Sequence, residues 1–120
     1  MTLQLTPATL EAAYEYLRTT PPFGSWSLPD GDEVKFLVGR SRKAFAHYQW
    51  DGRRHTITVS SNAVGQTATL MEKMGHEMIH LHLEESGMES RGTENTHSAW
   101  FRRFAAQACK VHGWDLKAFY

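Results

Sequence analysis

The chain has little of what marks secreted, fibrous or membrane-bound proteins. It carries one cysteine, Cys109. That excludes an internal disulfide framework and a CxxC zinc ribbon within this chain. No apolar run approaches the ~20 residues a membrane span needs. Charge of one sign is also lacking: 13 basic and 13 acidic side chains give a formal net charge of zero. Nothing in that balance demands a polyanion partner. The N-terminal stretch MTLQLTPATLEAAYEYL has no basic segment leading into an apolar one, so no signal peptide is expected. The expectation is a cytoplasmic protein in a reducing compartment, without membrane contact.

What is present is an ordinary globular composition, 41% hydrophobic and 22% charged. A length of 120 residues suits one domain over 1–120 with a core of its own. Seven histidines are many for this length and are the one compositional hint of metal chemistry.

The patterning predicts an α+β domain. A first helix is expected over 6–18, with Thr6 as N-cap, Pro7 at the first helical position and an apolar face of Leu10, Ala13, Tyr14 and Leu17. The Pro- and Gly-rich segment 19–32 reads as a loop, anchored by Phe23, Trp26 and Leu28. EVKFLVG, AFAHYQW and HTITVSS read as strands, the last two joined by a turn at Asp51-Gly52. A small antiparallel sheet of about three strands is expected from them. A second helix should run from about Thr67 to Glu85, with Leu70, Met71, Met74, Met78, Ile79 and Leu81 as its apolar stripe. Gly87 and Gly92 mark a loop. A third helix is expected from near Thr96 to Gly113, carrying Trp100, Phe101, Phe104, Ala105, Ala108 and Val111.

The chemistry concentrates in the second helix. His76 and His80 are one turn apart, ~40° round the helix, so both imidazoles can reach one Zn²⁺. Glu77 projects beside them without being a ligand, where it can take a proton from water. This is the logic of HExxH zinc peptidases. Two histidines do not complete a site, and the candidates for a third ligand are His82, Glu84, Glu85, Glu89, Glu94, His97 and His112. His82 points to the other side of the helix and reads as a surface or packing residue. Glu84 is a full turn beyond His80. Glu85, Glu89 and Glu94 read as loop-solvating, and His112 as capping or packing the end of the third helix. His97 shares the apolar face of Phe101, Phe104 and Ala108, which directs it inward toward the second helix. It is the expected third ligand.

GHEMIHLHLE, a loop, and then HSAWFRRFA resemble the SprT-like (Spartan-related) metalloprotease domain family. That family's pattern is HExxH, a variable loop, and a third His opening a helix with Phe four residues later, matched here by His97 and Phe101. The upstream helix and strands fit as well. Ser98 stands where the family often has Gly, and no zinc ribbon can follow within a chain of one cysteine. The resemblance implies a zincin-like fold, zinc on His76, His80 and His97, Glu77 as general base, and substrates among DNA-associated proteins.

The principal expectation is therefore a zinc-dependent endopeptidase with Zn²⁺ as cofactor and a protein as substrate. Zinc would lower the pKa of a water toward ~7, and Glu77 would accept its proton and return it to the leaving amine. An exposed sheet edge can hold an extended substrate. The alternative is a non-catalytic, zinc-containing module of the same fold that binds DNA or protein. Arg40, Arg42, Lys43, Arg53 and Arg54 are the candidate phosphate contacts for DNA, although basic residues in turns usually serve only to solvate them. A third reading is a helical core without metal.

Overall fold

The computed structural model describes residues 4–61, 67–88 and 98–120. Four helices and three strands follow in the order α1 (Pro7–Arg18), β1 (Val34–Gly39), β2 (Ala46–Trp50), β3 (His55–Ser60), α2 (Thr67–Glu85), α3 (Ala99–His112) and α4 (Leu116–Phe119). Thr6 caps α1, its hydroxyl accepting from the Thr9 amide at 3.1 Å, and Pro7 follows as the first helical residue. The face predicted from spacing is the buried one: Leu10, Ala13, Tyr14 and Leu17. Loop 19–32 carries two short 3₁₀ turns and sends Phe23 fully into the core, with Trp26 and Leu28 packed against it.

The sheet corrects one expectation. It is mixed rather than antiparallel, in the order β1-β3-β2. β2 and β3 form the expected hairpin, with Gly52 at φ +92° in its turn and the Asp51 carboxylate accepting from the Arg53 and Arg54 amides, both at 2.8 Å. β1 instead joins the far edge of β3, in parallel, from Val34↔His55 to Gly39↔Ser60. The connection decides this. Residues 40–45 must pass the end of a third strand before β2 begins, a gap of two strand spacings or ~10 Å. A tight hairpin turn cannot cover that, whereas this segment can. It is held where it crosses by bonds from the Ser60 and Ser61 amides to the carbonyls of Phe45 and Gly39.

α2 is the centre of the molecule. One side packs Leu70, Met74, Met78 and Leu81 against α1 and the sheet. The other side packs Ile79 and Leu83 against Phe101, Ala105 and Cys109 of α3 and Phe119 of α4. A helix covered on both sides has little room for polar groups. The third helix begins at Ala99, where the Ser98 hydroxyl caps it by accepting from the Phe101 amide at 3.2 Å. It ends at Gly113, whose φ of +74° closes the last turn. The one-turn helix α4, capped by Asp115, was not expected from periodicity.

Candidate metal centre

His76, Glu77 and His80 lie together at the middle of α2. One ligand atom from each lies within 4.8 Å of the others, and they are the one such group among the described residues. Helix geometry alone brings the histidines to one face. Their surroundings then fix them. The ring of the buried Phe101 lies 4.9 Å from that of His76 and 4.6 Å from that of His80. Tyr48 of β2 lies parallel to His80, 6.4 Å away at 7°. His76 Nδ1 is 2.9 Å from the backbone carbonyl of Phe119. A carbonyl only accepts, so Nδ1 carries the hydrogen and Nε2 carries the lone pair. Nε2 is also the nitrogen near Glu77, 3.9 Å from Oε2.

Glu77 is buried among these groups, and burial pushes its carboxyl up to about 7, against the opposing pull of His80 and Lys73. Burying an ionisable group is costly unless it is paired, and groups perturbed in this way cluster at functional sites. Two imidazoles one turn apart, one with its tautomer set by an outer carbonyl, suit a borderline divalent cation such as Zn²⁺. The donor set fits the expected metal.

The strand flanking the centre runs with α2. Phe45, just before β2, takes the Lys73 ammonium over its ring at 4.8 Å. Tyr48 faces His80. Trp50 covers His55 at 4.5 Å, and His55 Nε2 lies 2.6 Å from Glu85 Oε2. From Lys73 to Glu85 the helix rises ~18 Å, and from Phe45 to Trp50 the strand spans ~17 Å. β2 therefore lies alongside the whole stretch that holds the histidines. It is also an edge strand among the described residues.

The other candidates separate cleanly. His82 is buried on the opposite side of α2, stacked on Trp26 at 4.9 Å, and its Nδ1 accepts from the Ser27 amide at 3.1 Å. Burial holds its pKa below the usual histidine range. It packs, as one of the two roles expected. His112 bonds the Pro21 carbonyl at 2.8 Å and stacks on Trp114 at 4.5 Å, also a packing role. Glu84 is partly buried and is not in the cluster. Glu85 corrects its reading: it does not merely solvate a loop but pairs with His55. Glu89, Glu94 and His97, the expected third ligand, lie outside the described residues.

The basic residues considered for DNA do not form one patch. Arg40, Arg42 and Lys43 precede β2 and Arg53 and Arg54 follow it, so they sit at opposite ends of that strand. No helix is long and apolar enough to cross a membrane, among the described residues.

Sequence reasoning missed Tyr48, His55 and the Phe119 carbonyl. Tyr48 and His55 had a signal, since both fall on the inward register of their strands. A backbone carbonyl has none. Compared with known proteins, the chain matches no family model and no curated protein.

Proposed function

We propose that this chain is a zinc-dependent endopeptidase of the SprT-like type, with a zincin-like arrangement around α2. The observation that carries the reading is the placement of a buried Glu77 between His76 and His80, with the His76 tautomer set by the Phe119 carbonyl. His76 and His80 would hold the metal through ring nitrogens. His97 is proposed as the third ligand. In sequence it directly precedes the Ser98 cap of the helix whose Phe101 lies on both histidines.

When bound, Zn²⁺ supplies a Lewis acid and brings the pKa of water toward ~7. Glu77 takes a proton on its carboxylate from the attacking water and delivers it to the leaving amine nitrogen. Phe101, Tyr48 and the buried helix walls keep bulk water from the carboxylate. The edge strand β2, whose Tyr48 faces His80, would align an extended substrate by backbone pairing. The separation of the basic residues gives no single phosphate-binding surface, so a protein substrate is favoured over DNA as the primary ligand.

The test is Glu77→Gln on an unfolded protein substrate, with zinc content measured beside it. Zinc should be retained and cleavage should fall ~10²–10⁴-fold. Cleavage at the wild-type rate overturns the mechanism. Zinc-loaded wild-type protein that cleaves nothing, with or without DNA, points to the binding-module reading.

A further inference from the structure

We propose that α4 belongs to the metal centre, its docking on α2 and metal binding at His76 and His80 being one coupled equilibrium. This coupling rests on the reading of His76, Glu77 and His80 as a metal site. α4 is a single turn, Leu116–Phe119, far too short to persist alone. Its start is capped by Asp115, whose carboxylate accepts from the Ala118 amide at 3.2 Å. Its apolar end packs on α2 and α3, and its last carbonyls are bonded from α2. The last carbonyls of a helix have no partner within it. Here Lys73 Nζ donates to the Ala118 carbonyl at 2.6 Å and His76 Nδ1 donates to the Phe119 carbonyl at 2.9 Å. Lys73 and His76 are three apart and share a face of α2. The Phe119 ring is fully buried, against Trp114 at 5.7 Å and His76 at 5.5 Å.

The chemical consequence falls on one atom. With Nδ1–H given to Phe119, the lone pair of His76 is on Nε2, beside Glu77. In water a histidine ring prefers the other tautomer and turns freely about its side-chain bonds. Docked α4 removes both losses and raises the basicity of Nε2. Linkage is reciprocal: if docked α4 favours metal, metal favours docked α4 by the same factor. His76 is thus the shared element, and Lys73 and Asp115 are positioning residues that act through α4.

Three forms of the chain are compared by zinc competition against a chromophoric chelator: the full chain, a chain ending at Asp115, and Asp115→Ala. Asp115 is exposed, so its substitution leaves the core in place. The truncated chain should bind zinc about 10- to 100-fold more weakly, and Asp115→Ala several-fold more weakly. In the full chain, zinc should slow exchange of the Phe119 and Tyr120 amides, which donate to Asp115 and Leu116 within α4. Where truncation unfolds the protein, Asp115→Ala and the exchange measurement decide. Equal zinc affinity in the folded forms, or amide exchange indifferent to zinc, overturns the coupling while leaving the metal site intact. A full chain that binds no zinc overturns the metal reading itself.

Discussion

His55 Nε2 and Glu85 Oε2 lie 2.6 Å apart, tying the first residue of β3 to the last residue of α2. The ring is only 6% exposed and its Nδ1 meets the Tyr48 hydroxyl, also at 2.6 Å. Glu85 can only accept when ionised, so Nε2 carries a hydrogen, and in the neutral ring Nδ1 accepts from the phenol. The chain of bonds holds Tyr48 beside His80. Glu85→Ala leaves a buried N–H without its acceptor and should cost about 1–2 kcal/mol. Glu85→Gln keeps an acceptor without the charge and should cost about half as much. Urea titrations of both variants check the order, and equal losses would show that the charge does not matter.

How much of this was legible in the sequence depends on where the information resides. The cap of α1 was readable from Thr6 and Pro7, and the apolar faces of α1 and α2 because one helix face carries its own periodicity. That His76 and His80 share one face of α2 was readable for the same reason. Strand pairing was not: Val34, Phe36 and Val38 give an inward face but say nothing of which strand lies alongside, so the parallel β1–β3 pair stayed hidden. Glu85 was misread because its partner is thirty residues away on a strand. The Phe119 carbonyl could not be read at all, since every residue has one.

Gly75→Ala sets two effects against each other. Gly75 directly precedes His76 in mid-helix, where alanine gains ~1 kcal/mol by propensity. An added Cβ would sit 3.0 Å from Trp114 Cζ3 and 3.2 Å from Phe23 Cζ. Trp114 cannot give way easily, because it is stacked between His112 at 4.5 Å and Phe119 at 5.7 Å. Overpacking of this kind costs ~1–3 kcal/mol. The expected net result is a loss of about 1 kcal/mol by urea unfolding. A gain in stability would mean the indole moves aside without cost.

Acid should weaken the α1–loop junction through Glu15. Its carboxylate accepts from Arg18 at 2.7 Å and from the Gly31 amide at 2.5 Å. The Arg18 hydrogen bond is the largest cause that holds its pKa below the usual glutamate range, with the Gly31 amide adding to it. A lowered folded pKa means the unfolded chain binds the proton more readily, so stability from this group is present above ~4.5 and is lost as pH falls through the folded pKa. Because Glu15 is about a third exposed, solvent screens the pair, and Glu15→Gln should cost only about 1 kcal/mol at pH 7. Unfolding curves at pH 7 and pH 3 check the sign: the gap between wild type and variant should shrink at pH 3. A gap that widens in acid rules out the ionised carboxylate as the source.

His97→Ala is the decisive substitution for the metal ligands. Among the other candidates, His82 accepts from Ser27 on the far side of α2, His112 is bonded to Pro21, and Glu85 is engaged with His55. Each of those side chains has a structural partner that accounts for it. Removing an outer partner of a metal site costs ~10–100-fold in affinity. Loss of His97 as a direct ligand should exceed that range, whereas His112→Ala should leave zinc affinity within a few-fold of wild type. Chelator competition on the two variants side by side separates the cases. Full zinc retention in His97→Ala removes it as a ligand and turns the search to Glu89 and Glu94.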